Sequence, residues 1–119
     1  YAPRVAARGV QFSWPRGQPR YFQASNVVRR GFCADCGTPL TYEAPDGVAV
    51  AAGAFDQPER LPPTLQYGVE RKLPFVDGLG RLPARRTEQD MAALEFLATV
   101  VSHQHPDHDT PHWPPRTRG

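Results

Sequence analysis

Apolar and polar residues alternate early in the chain. Val10, Phe12 and Trp14 fall on one side of the stretch VQFSW, the period-2 pattern of a half-buried strand. Pro15-Arg16-Gly17 then reads as a turn, Tyr21-Phe22 opens a second extended piece, and residues 27–32 form a third. Leu40-Thr41-Tyr42 predicts a strand returning through the turn Pro45-Asp46-Gly47 into residues 48–55, the most apolar run of the chain. Together these segments predict an antiparallel meander. Residues 56–63 (DQPERLPP) predict a rigid loop, because proline fixes φ and removes a backbone donor. Residues 65–69 predict a further strand, and a second loop carries Pro74, Gly78, Gly80 and Pro83.

The period changes at Thr87. Thr87 and Asp90 approximate a capping box, and Met91, Leu94, Leu97, Ala98 and Val101 follow at helical spacing, which predicts one C-terminal helix over about residues 87–102. Residues 103–119 read as a polar tail rich in histidine and proline. The expected fold class is mainly β: one small domain of antiparallel strands over residues 1–102, helix included.

Composition narrows the partners. A chain of 119 residues can bury one modest core, and 39% hydrophobic with 22% charged residues excludes a largely disordered polymer. Fourteen prolines favour short strands and loops over long helices. The net charge is +2, Lys72 is the sole lysine, and the arginines are scattered apart from the pairs Arg29-Arg30 and Arg85-Arg86. No basic stripe interleaved with aromatics is present, so a nucleic-acid partner is not expected. No apolar run approaches the roughly 20 residues of a membrane span, and no signal peptide opens the sequence. A soluble, cytoplasmic protein is expected, with no membrane partner. Met91 is the sole methionine and the chain begins at Tyr1, which reads as a processed product or the tail of a longer reading frame.

Both cysteines lie in Gly31-Phe32-Cys33-Ala34-Asp35-Cys36-Gly37-Thr38-Pro39-Leu40. A redox dithiol needs its first cysteine at a helix N-terminus, and Gly37 and Pro39 work against a helix there. Plain buried thiols or a disulfide remain open alternatives. A zinc knuckle suits the spacing best: a tight turn sets two thiolates on one side, about 2.3 Å from a common metal, and glycine after the second cysteine accommodates the backbone. Cys33 and Cys36 are therefore the candidate metal ligands. A structural zinc takes four, so the other two must come from histidines, from residues outside this sequence or from a second chain, the last giving a symmetric homodimer.

Trp14-Pro15-Arg16-Gly17, Tyr21 and the run from Arg30 to Tyr42 around the cysteines resemble the central signature of the glutathione-dependent formaldehyde-activating enzyme family, which also includes centromere protein V. Gly53-Ala54-Phe55-Asp56-Gln57-Pro58-Glu59, then Glu70, Leu73-Pro74-Phe75 and Leu82-Pro83, continue the likeness in order. The resemblance implies a β-tent domain with a structural zinc and a second zinc, held by three cysteines, that is linked to catalysis. It implies carbon–sulfur lyase chemistry that joins formaldehyde to glutathione as S-hydroxymethylglutathione, with glutathione or a related small thiol as partner. Cys33 and Cys36 match the later pair of the structural site. The catalytic cysteines have no counterpart in this sequence, so no catalytic residue carries over, and a non-catalytic zinc-knuckle module is the competing expectation.

His103, His105, His108 and His112 fall within ten residues, and His103-Gln104-His105-Pro106-Asp107-His108 fits the H-x-H-x-D-H pattern of dinuclear hydrolases. That fold needs a far longer chain, which leaves these histidines as solvated tail residues or as ligands completing the cysteine site. Asp56, Glu59 and Glu70 are candidate acid–base carboxylates, though exposed loop carboxylates are mostly solvated. Trp14, Tyr21, Tyr42, Phe55 and Phe75 could line a groove or fill a small core, and Arg30 or Arg71 could grip a carboxylate.

Overall fold

The computed structural model describes residues 2–7 and 12–112. The chain divides into two compact units. One comprises Ala2–Gln66 with the described residues from Gln104 onward, and the other comprises Tyr67–His103.

The first unit is built on a five-stranded antiparallel sheet: β1 (Arg4–Ala6), β2 (Arg20–Gln23), β3 (Arg29–Phe32), β4 (Pro39–Ala44) and β5 (Gly47–Ala51), in the order β1-β5-β4-β3-β2. Strands β2 to β5 are the meander expected from the sequence, and β1 adds to the free edge of β5. Each hairpin has a local cause. Between β2 and β3 the Ser25 hydroxyl accepts hydrogen bonds from the Val27 and Val28 amides at 3.2 and 3.1 Å, reversing the chain. Between β4 and β5, Ala44 pairs with Gly47 across Pro45-Asp46. Proline presets the first turn position, and Gly47 takes φ +139°, which a side chain would resist.

Side chains alternate across this sheet. Tyr21, Gly31, Thr41 and Val50 stand in register on one face, with Gln23, Arg29, Glu43 and Val48 as the next row. Phe22, Arg30, Tyr42 and Ala49 stand on the other. The buried positions, Gly31, Thr41 and Val50, belong to the first face, and Ala52 follows just beyond β5. Gly31 is required there: a Cβ at that position would run into the Thr41 hydroxyl and the Tyr21 ring.

Elsewhere the structure departs from the sequence pattern. The expected strand at 10–14 falls partly outside the described residues, and its described part, Phe12 to Trp14, is not strand; its two rings meet edge-to-face at 4.9 Å. Residues 65–69 form no strand, and a 3-10 turn occupies Val69–Arg71. The single helix expected over about 87–102 is broken into a 3-10 turn at Thr87–Gln89 and one α-helical turn, α1 (Leu94–Leu97). The cause is packing. Met91 is 77% and Val101 65% exposed, so the apolar stripe is not buried and nothing offsets the cost of nucleating a longer helix.

In the first unit the Arg16 guanidinium pairs with Asp109 at 3.2 Å and donates to the Thr110 carbonyl at 3.2 Å. No helix among the described residues is long and apolar enough to cross a membrane.

Candidate metal centre

The cysteines sit at the tip between β3 and β4. The Cys33 amide donates to the Thr38 carbonyl at 2.9 Å, and the Gly37 amide donates back to the Cys33 carbonyl at 2.8 Å. These two bonds close a six-residue knuckle from Cys33 to Thr38, and Gly37 makes it possible by taking φ +79°. A register shift between Gly31 and Phe32 leads the chain into it. Cys33 is half-buried and Cys36 exposed, and both are free thiols.

The Cys36 sulfur lies 3.0 Å from the Thr38 hydroxyl oxygen. Its pKa is held below the ordinary thiol value, first by that side-chain hydrogen bond and then by a backbone hydrogen bond from Thr38; burial and Asp35 oppose the shift. A thiolate-favouring donor is the environment a metal-ligating cysteine needs. Thr38 was not singled out from the sequence. A hydroxyl two residues after a C-x-x-C pair was the available signal, but its role depends on the knuckle closing.

The thiol pair suits zinc by donor type and by turn geometry, yet zinc takes four ligands. Among the described residues, no group of three or more histidine, cysteine, aspartate and glutamate side chains comes together. The residues therefore fit half of a tetrahedral set. Two histidines of the same unit have other partners. His105 has Nδ1 2.6 Å from the Pro106 carbonyl oxygen and Nε2 3.1 Å from the Thr110 hydroxyl, and His108 Nδ1 faces the Asp107 carboxylate at 3.2 Å.

The span from residue 1 to residue 71 matches the family model described as glutathione-dependent formaldehyde-activating enzyme. The chain belongs to that family. Neither the curated proteins nor the solved structures contain a match to it. The matched span holds all five strands and both cysteines of this formaldehyde-activating family member, while Leu73-Pro74-Phe75 and Leu82-Pro83 lie beyond it.

Within the first unit the other candidates do not converge on the knuckle. Tyr21 and Tyr42 stand on opposite faces of the sheet and cannot line one groove. Tyr21 belongs to a polar network: the Arg29 guanidinium lies 3.8 Å over its ring and bonds Glu43 at 3.1 Å, while the Thr41 hydroxyl donates to the other Glu43 oxygen at 3.0 Å. Burial, then the charge of Glu43, raises the Tyr21 pKa. On the opposite face Arg4 and Arg30 approach the Tyr42 ring at 4.5 and 6.0 Å. Asp56 lines an open hollow with Phe55, Gln57, Arg60 and Leu61, and Glu59 sits in the 3-10 turn Pro58–Arg60. Glu70, Arg71 and Phe75 belong to the second unit.

Proposed function

We propose that this chain is a zinc-knuckle member of the formaldehyde-activating family, acting in carbon–sulfur lyase chemistry on glutathione–formaldehyde adducts or a related small thiol and aldehyde. Cys33 and Cys36 hold its structural zinc, and a soluble, cytoplasmic setting belongs to the same reading. One observation carries it: the family-matched span contains a closed C-x-x-C knuckle whose exposed sulfur has a hydrogen-bond donor that favours the thiolate.

The zinc supplies a fixed point that ties the β3–β4 tip together, which in small domains contributes directly to folding. The family's catalytic zinc uses three further cysteines, and this sequence holds two cysteines in all. No catalytic step is assigned to residues of this chain.

The test is exchange spectroscopy. Carbon-13-labelled formaldehyde and glutathione equilibrate spontaneously, and NMR measures how fast label passes between free and adduct forms. The zinc-loaded protein is expected to accelerate that exchange, and Cys33→Ser to remove the acceleration. The open knuckle, with no third metal ligand beside it among the described residues, favours one rival, a non-catalytic zinc-binding module. Full zinc loading with an exchange rate equal to that of the protein-free solution would establish it.

A further inference from the structure

The second face of the sheet gathers cations and aromatic rings that the knuckle does not use. The row Phe22, Arg30, Tyr42 and Ala49 crosses four neighbouring strands. Alternation puts Arg20 on the same face, one step along β2 from Phe22, and Arg4 there too, opposite Ala51 on β5. These arginines are scattered along the sequence, and the antiparallel sheet assembles them. Glu43, the sole carboxylate of the five strands, stands on the other face and pairs with Arg29.

No carboxylate of the described residues pairs with Arg4, Arg20 or Arg30, and all three are exposed. Two of them are held in place. The Arg4 guanidinium lies 4.5 Å from the centre of the Tyr42 ring and that of Arg30 6.0 Å, so one ring presents both cations. Phe22 beside them is 65% exposed, a flat apolar surface open to solvent. An apolar layer cannot cover this face, because it would strip water from three unpaired guanidinium groups. A partner must bring negative charge for the arginines and a planar group for Phe22.

Single-stranded nucleic acid brings both, as backbone phosphates and as bases with a free π-face. A duplex keeps its bases stacked inside, and an acidic peptide meets the arginines without using the ring. We propose that this sheet face binds single-stranded nucleic acid, with a base stacked on Phe22 and phosphates on Arg4, Arg20 and Arg30. Strands about 4.8 Å apart set Arg4 on β1 and Arg20 on β2 roughly 20 Å from each other, the reach of a short oligonucleotide. The proposal does not depend on a metal at the knuckle.

The test is fluorescence anisotropy of a short labelled oligothymidylate titrated with the 119-residue chain from about 50 to about 200 mM salt. Binding is expected to saturate and to weaken with salt at a log–log slope of about −2, from three phosphates at about 0.7 each. Phe22→Ala should weaken it about tenfold or more while keeping that slope. Arg20→Glu and Arg30→Glu should each abolish it with strand circular dichroism retained. Arg29→Gln, one residue from Arg30 but on the opposite face, should bind as the parent does. No binding at the lowest salt overturns the proposal. Undiminished binding by Phe22→Ala reduces the face to a polyanion patch and overturns the stacking. Equal losses in Arg29→Gln and Arg30→Glu overturn the assignment to this face. Capture by phosphatidylserine vesicles with no oligonucleotide binding makes the partner a membrane surface instead.

Discussion

The Thr38 hydroxyl oxygen lies 3.0 Å from the Cys36 sulfur, and hydrogen bonding from Thr38, its side chain first and its backbone second, holds the Cys36 pKa below the ordinary thiol value. In the metal-free protein, alkylation of Cys36 by iodoacetamide should therefore reach its half-maximal rate below the pH of an ordinary thiol. Thr38→Val should move that profile upward, since the larger of the two favourable contacts is gone; an unmoved profile would sink the assignment. Gly31 makes a second residue-scale test. A methyl group there meets the Thr41 hydroxyl and the Tyr21 ring, while one at Gly53 meets nothing within 4 Å. Gly31→Ala should cost about 1–3 kcal/mol in urea unfolding, and Gly53→Ala about 0.5 kcal/mol or less. Equal midpoints for the two variants would show that β2 and β4 do not close over Gly31. The cysteines were legible in the sequence because their spacing is itself the signal. Thr38, Thr41 and Glu43 were not, because each acquires its role only once the chain folds back.

Strands β2 to β5 could be read from alternation and turn residues, since each hairpin is specified within a few positions by Ser25, Pro45 and Gly47. Strand β1 could not. Arg4-Val5-Ala6 carries a single apolar position flanked by short or charged residues, and it becomes a strand only because the edge of β5 offers it hydrogen bonds from Ala49 to Ala51. The expected helix failed for the opposite reason: Met91, Leu94, Leu97 and Val101 have helical spacing but no surface that buries them, and α1 keeps only four residues. A hydrogen-exchange experiment tests that contrast. Amides of β3, β4 and β5, which pair on both sides, should exchange slowest, and those of residues 94–100 should exchange near the rate of an unstructured chain. Protection of 94–100 equal to that of β4 would mean a stable helix exists there.

Across the whole molecule the apolar interior is thin. Among the described residues, Val50 and Ala52 are the buried hydrophobic side chains, while Tyr67, Leu65 and Met91 stand largely exposed. A chain with so little buried surface gains proportionately from a metal that binds the folded state alone. Zinc at about 100 times its dissociation constant should add about 2.7 kcal/mol, seen as a higher thermal midpoint that chelator reverses. The pH dependence has a definite sign. The folded-state pKa of Cys36 lies below that of an unfolded thiol, so between the two values the unfolded chain binds more protons and stability rises with pH. That contribution is fully present above the unfolded thiol value and is lost as pH falls through the folded one. Zinc held at the proposed site would steepen the same slope, because each ligand must be deprotonated to bind. Thermal midpoints recorded from acid to mildly alkaline pH should diverge between zinc-loaded and metal-free protein as pH rises. Cys36→Ser should remove both the zinc increment and the thiol-linked slope. Parallel midpoint curves with and without zinc would mean that the metal is not bound through thiolates, and the knuckle would then be a feature of the hairpin alone.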